Sequence, residues 1–241
     1  FVAAAVHDLL QPLNAARMFS SLLRGHALDE AGRQVADSID GALAAQDGIL
    51  ASLLDISRME SGQLEVRLRD FALGPLLQVV QHNFGIIAKS RGLRLDCVGS
   101  RYTVRSDEAL LRRILQNLLS NAIRYTPGGK VLIGCRRHGD QLRIEVHDQG
   151  PGIPESLQRE IFEEFRRLGE GHDDDRGAGL GLAIVERLGR LLGHEIGLRS
   201  ELGRGSMFWV SVPIEATVGA APSLAPTESE PAQDQPLQGT T

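Results

Sequence analysis

The sequence predicts an α+β protein: a helical hairpin that pairs with a second copy into a four-helix bundle, then an α/β sandwich with a mixed sheet covered by helices on one face. Two observations carry this. Residues 1–60 repeat apolar or small residues at heptad steps, and from about residue 68 helix-like and strand-like segments alternate. A chain of 241 residues, 42% hydrophobic and 24% charged, is long enough for two modest domains. The expected division is 1–67, 68–215 and a tail at 216–241.

The first seam runs Val2, Val6, Leu9, Leu13, Ala16, Ser20 and Leu23; the second runs Val35, Ile39, Ala42, Gln46, Ile49, Leu53 and Ile56, with "RGHALDEAG" as the turn between. Two antiparallel helices with one narrow stripe each bury too little to stand alone. A dimeric bundle is therefore expected over a lone hairpin packed on the next domain. The first helix is interrupted at "HDLLQPLN": Pro12 has no amide to give the carbonyl of Asp8, so the helix loosens beside His7. His7, Gln11 and Asn14 share one accessible stripe next to the seam. Taken alone, a histidine there is an ordinary surface residue.

Further on, "GPLLQVVQHNFGIIAKSRG" reads as helix and "LRLDCV" as strand. "DEALLRRILQNLLSNAIRY" is a strong helix that Asp107 can cap, and "GKVLIGCRRHGDQLRIEVHD" is a hairpin turning at His138-Gly139-Asp140. "GLGLAIVERLGRLLG" is helical and "EIGLRSELGRGSMFWVSVPI" is a second hairpin. Residues 216–241 hold four of the ten prolines, three acids and no basic or aromatic residue, the composition of a disordered tail or linker.

A net charge of −5 with scattered basic residues gives no nucleic-acid-binding face. No apolar run reaches the ~18 residues of a membrane span and no signal peptide is visible, so a cytoplasmic setting is expected. The start at Phe1, already inside a helical pattern, reads as a piece of a longer protein that a membrane could anchor. Cys97 and Cys135 lack metal-ligand spacing and read as buried thiols in a reducing compartment.

"PGGKVLI" lacks the spacing of a Walker A loop, and "GAGLGL" that of a dinucleotide fingerprint. Each glycine pair taken singly is a tight turn. Their order says more: a helix carrying Asn117 and Asn121, then a strand ending in "DQGPGI", then "IFEEF", then a glycine loop that opens into a helix. "NLLSNAIRYTPGG", "DQGPGIP", "IFEEFRR", "GAGLGLAIV" and "GRGSMFWVSVP" resemble the successive boxes of a sensor histidine kinase catalytic domain of the Bergerat ATP-binding fold, over about residues 70–214. "HDLLQPLN" resembles the phospho-acceptor box of the same family, where "HE" and a Thr-Pro pair are commoner.

The resemblance implies roles, and the residue chemistry suits them. Asn117 and Asn121, four apart, present two amides on one helix face, and the position of Asn121 holds Mg²⁺ in similar proteins. Arg124 and Tyr125 match positions that reach the phosphates and sugar of ATP. Asp148 matches the carboxylate that accepts from the adenine amino group, and Gly150 and Gly152 let the backbone close on the base. Gly177, Gly179, Leu180 and Gly181 match the glycine loop whose following helix offers free amides to phosphate. Residues 166–178 suit a mobile lid, while Asp173 to Asp175 read as a solvated charge run. Phe162 and Phe165 read equally as core or as lid contacts. His7 would be the phosphorylated histidine, Asp8 the acid that takes the proton from its second ring nitrogen, and Gln11 either a residue that orients water for phosphatase activity or plain surface.

The function this implies is ATP-dependent, Mg²⁺-assisted autophosphorylation of His7 in a homodimer, then transfer to an aspartate on a response-regulator receiver domain. Two alternatives stand beside it. Related ATP hydrolases carry a general-base glutamate where Asn117 stands, and an amide cannot take a proton from water. A non-catalytic nucleotide-binding dimerisation module would not need His7, Asn121 and Asp148 intact.

Overall fold

The computed structural model describes residues 13–23, 25, 29–62, 64–164, 166 and 179–215. Val2, Val6, His7, Asp8, Leu9, Gln11, Pro12, the side chain of Ile49, Phe165, Asp173 to Asp175, Gly177 and the tail lie outside the described residues.

Residues 13–23 form helix α1, and Glu30–Glu60 form α2, whose N-terminus is capped by Asp29 accepting from the Gly32 amide at 2.7 Å. Within one chain only part of the expected seam is buried. Leu13 and Ser20 are covered together with Ala36 and Leu43, and Ser20 Oγ donates to Asp40 Oδ1. Val35, Ile39 and Leu23 are exposed, as are Met18, Phe19 and Leu22. Ala36 and Leu43 thus sit one position later than the Val35 and Ala42 of the heptad reading. At 3.6 residues per turn, adjacent stripes face different neighbours, so the helix carries one covered and one uncovered apolar stripe. Near its end, Ile56 is buried, and with Leu53 and Met59 it packs on the core of the following region.

That region is built on two sheets. Strands β1 (Arg69–Ala72) and β3 (Thr103–Ser106) form a short antiparallel pair. The main sheet has the order β2-β4-β5-β7-β6 and comprises β2 (Leu93–Cys97), β4 (Gly129–His138), β5 (Gln141–His147), β6 (Ile196–Glu201) and β7 (Gly205–Pro213). Only β2 and β4 run parallel, which makes the sheet mixed. Alternation decides its faces. Val131, Ile133, Leu142, Ile144, Val146, Val210 and Val212 point to one side and are fully buried. On the other side the Arg143 guanidinium lies 4.7 Å from the centre of the Trp209 ring, which rests over Gly197.

Helices α3 (Leu73–Ser90), α4 (Glu108–Tyr125) and α5 (Gly181–Leu192) cover the apolar face. In α4 the buried positions Leu111, Ile114, Leu115, Leu118, Leu119 and Ala122 follow the helical period. Burying each large aliphatic side chain contributes about 1.5–3 kcal/mol. Asp107 caps α4, its Oδ1 accepting from the amides of Ala109 at 3.0 Å and Leu110 at 3.1 Å. Gly193, with φ of 68°, closes α5 in the left-handed conformation.

Just beyond, His194 is 6% exposed and its Nε2 shares a 2.8 Å hydrogen bond with the buried Ser106 Oγ. Burial pushes its pKa below the ordinary 6.5. The folded chain therefore keeps the imidazole neutral where an unfolded chain takes up a proton. Stability from this site is complete above about 6.5 and drains away as pH falls towards the lowered folded value. Thermal melts from pH 7.5 to 5.5 should show a steeper loss for the wild type than for His194→Gln; equal slopes would remove the imidazole as the cause.

Candidate functional site

The C-terminal end of α4, the N-terminal end of α5 and the loop after β5 converge on one cleft. Ala122, Ile153, Ile161, Leu182 and Phe208 supply its apolar walls, and Asn121, Tyr125, Asp148, Arg166 and Ser206 its polar groups. Phe162 meets Phe208 edge-on, with ring centres 6.4 Å apart, so it braces the wall as a core residue.

Asp148 is held from two sides. Its Oδ1 accepts from the Gly150 amide at 2.8 Å and from the Ser206 amide at 3.1 Å, and its own amide donates to the Ser206 carbonyl at 2.9 Å. Oδ2 accepts no hydrogen bond among the described residues, leaving an acceptor on a cleft-lining side chain. Burial raises the carboxyl pKa, and the two amides and His147 oppose the rise. A ligand N–H placed against Oδ2 would restore what burial removed.

The loop after Asp148 is stitched to the β6–β7 hairpin. Ser200 Oγ accepts from the Ile153 amide at 2.8 Å and donates to the Gly205 carbonyl at 3.0 Å, while Gln158 Nε2 donates to the carbonyls of Ile153 and Ser200. Gly203 donates its amide to the Pro151 carbonyl at 2.7 Å. Two glycines make this approach possible: a Cβ on Gly152 would fall inside contact distance of the Glu201 carbonyl, and one on Gly205 would do the same to the Asp148 carbonyl.

Across the cleft, Asn117 and Asn121 converge on the first residue of α5. A Cβ on Gly181 would lie 3.2 Å from Asn117 Oδ1 and 3.6 Å from Asn121 Oδ1. Asn117 Nδ2 donates to the Arg113 carbonyl at 2.9 Å, which leaves its oxygen as the end facing Gly181. Helix α5 begins without a side-chain cap at Leu180, and Gly179 with φ of 70° turns the chain into it. Leu180 itself is 2% exposed, so its side chain belongs to the core and only its backbone is available to a ligand. Tyr125 lines the cleft, whereas Asn117 and Arg124 do not.

Sequence reasoning missed Ser206, Ser200, Gln158 and Arg166. Alternation along β7 carries a signal for the first, since Ser206 shares a face with Phe208 and stands opposite Asp148. Arg166, a cleft-lining cation, is held by Glu160 and Glu163, each at 3.1 Å.

Residues 106–216 match the family described as histidine kinase-, DNA gyrase B- and HSP90-like ATPase, and residues 1–62 match the His Kinase A (phospho-acceptor) domain. The chain belongs to the sensor histidine kinases of two-component systems. Among relatives of this kinase chain, the sensor histidine kinase AruS of Pseudomonas aeruginosa is 35% identical over 93% of the chain and 24% of AruS. RcsC of Escherichia coli is 31% identical over 89% of the chain and 23% of RcsC. The chain thus spans about a quarter of the length of these curated relatives. Full-length ShkA in complex with AMPPNP superposes with a TM-score of 0.75 at 28% identity, covering 90% of this chain and 46% of that one. The Acinetobacter baumannii histidine kinase AdeS, at 22% identity and a TM-score of 0.60, shares the fold. No helix among the described residues is long and apolar enough to cross a membrane.

Proposed function

We propose that this chain is the core of a histidine kinase that binds ATP in the cleft, phosphorylates its own His7 and passes the phosphoryl group to an aspartate of a response-regulator receiver domain. The observation that supports it most is Asp148, a carboxylate with one oxygen tied to two backbone amides and the other left for a ligand. An adenine amino group supplies the matching donor. Guanine carries a carbonyl at that place, so the site favours adenine. Tyr125 and Arg124 would attend the sugar and phosphates, and the uncapped start of α5 at Gly179, Leu180 and Gly181, with Gly177, the phosphate tail.

Asn121, with Asn117 beside it, would hold Mg²⁺. The Asn117 oxygen and the Asn121 amide both face Gly181, and amide oxygens together with ATP phosphates suit a hard cation that keeps part of its water. When bound, the ion neutralises phosphate charge. Asn117 lacks the basicity to activate water, which favours transfer to a residue over hydrolysis.

In the transfer step a neutral His7 ring nitrogen attacks the γ-phosphorus, the bond to the β–γ bridging oxygen breaks, and ADP leaves with that electron pair. Asp8 takes the proton from the second ring nitrogen. Exposed Met18, Phe19, Leu22, Val35 and Ile39 support a homodimer through the hairpin. Gln11, four residues after His7, carries the amide that would orient water for hydrolysis of the regulator's aspartyl phosphate. Incubating the chain with γ-labelled ATP and Mg²⁺ should give an acid-labile, alkali-stable label that His7→Ala abolishes. A label retained at wild-type level in that variant would overturn the assignment.

A further inference from the structure

The segment between α2 and β1 is fastened to the helix that carries the nucleotide-site asparagines, and one carboxylate does the fastening. Asp107 is 8% exposed. While Oδ1 caps α4, Oδ2 accepts from the Arg67 backbone amide at 2.9 Å, forty residues earlier in the chain. Around it the contacts are either apolar or exposed. Leu64 and Val66 pack on the core, Arg69 and Glu108 form an exposed pair at 3.3 Å, and Arg69 pairs with Ser106 in the short sheet. Among the described residues, the Arg67 amide is the one polar group of the 64–68 segment that reaches a buried carboxyl side chain.

We propose that Asp107 is a positioning residue that fixes the bearing of the nucleotide cleft on the helical hairpin. Helix α4 runs unbroken from its cap at Asp107 to Tyr125, so Asn117 stands ten residues, about 15 Å, from the fastening point. Any rotation or shift of the end of α2 is delivered through Val66 and Arg67 to the first turn of α4, and along it to the asparagine pair. This rests on the kinase reading, since a cleft that only hydrolysed or sensed ATP would not need a set bearing on His7.

Two changes separate the fastening from the cap. Asp107→Ser keeps an oxygen for the helix amides but has none left for Arg67. Arg67→Pro removes the donor and leaves Asp107 untouched, and Arg67→Ala keeps the amide as a control. Hydrogen exchange read on peptides from 61–70 and 110–125 of the full chain should show faster exchange in the first and unchanged protection in the second for Asp107→Ser. In the same two variants, the initial rate of autophosphorylation should fall about tenfold or more with ATP affinity held within about twofold, while Arg67→Ala matches the wild type. That tenfold corresponds to about 1.4 kcal/mol in the barrier. Wild-type rates in both variants, or an affinity that falls in step with the rate, would overturn the proposal. A wild type that takes no label fails the kinase reading instead, and the exchange comparison then decides the fastening alone: unchanged exchange at 61–70 rejects it.

Discussion

Asp148→Asn should lower ATP affinity by roughly ten- to a hundredfold while the empty protein stays folded. The asparagine oxygen can still receive the amides of Gly150 and Ser206, so the loop keeps its shape. Its NH₂ then stands where Oδ2 stood and meets the adenine amino group donor to donor. Losing a hydrogen bond to a charged group costs about 1.5–3 kcal/mol, and each 1.4 kcal/mol is a factor of ten in affinity. Because burial already raises the carboxyl pKa, removing the charge relieves a desolvation cost in the empty cleft. Calorimetric titration with a non-hydrolysable ATP analogue, beside thermal melts, reads both quantities. The variant should also narrow the preference for ATP over GTP, since an amide NH₂ can donate to the guanine carbonyl. Unchanged affinity in a folded variant would remove Asp148 from base recognition.

Gly205→Ala should damage the fold and the cleft together, and far more than Gly203→Ala in the same turn. Both glycines have positive φ, 79° at Gly203 and 92° at Gly205, so each substitution carries about 1–2 kcal/mol of backbone strain. They differ in their surroundings. Nothing lies within 4 Å of a Cβ on Gly203, whereas one on Gly205 collides with the Asp148 carbonyl. To relieve that collision β7 must move away from the end of β5, breaking the bonds between Asp148 and Ser206. A loss of about 3–5 kcal/mol is expected, which for a protein of this size lowers Tm by roughly 6–20 °C. ATP affinity should fall with it because Asp148 is the residue displaced. A Gly205→Ala protein that melts within a degree or two of Gly203→Ala would show that the turn has room to give.

Much of this architecture was legible in the sequence because period and punctuation agreed. Asp107 before a helical stripe, Gly139 between two alternating runs, and Gly193 after "RLGRLL" each mark an element boundary that the structure keeps. Strands β1 and β3 were not legible. Each has only four residues; β1 buries none of them and β3 only Val104 and Ser106, a run too short to read as a strand, and beside the pair the Leu73 amide donates to the Tyr102 carbonyl. The seam in α2 was found, but not which stripe faces the hairpin, since Ala36 and Val35 differ by one position on a helix with two apolar neighbours. At the cleft, the placement of Asp148 and Asn121 was legible from box order. Ser200 and Gln158 were not, because their roles arise from carbonyls and amides that only the β6–β7 hairpin brings near.

The strand order has a consequence for how the chain is made. Strand β7, the last element among the described residues, lies between β5 and β6 and is thus interior to the sheet, while its end reaches back to β3 through Val104 and Ile214. During synthesis β6 emerges before the neighbour it must pair with, and α5 has half its sheet beneath it. Such non-local closure is slow compared with local helix formation. A nascent chain still short of Gly205 therefore exposes the edge of β5 and the apolar underside of α5 to whatever is nearby, and a stop codon anywhere in the hairpin removes an inner strand instead of trimming an end. Truncation before Pro213 should therefore unfold the sheet instead of shortening it, because it takes out an inner strand.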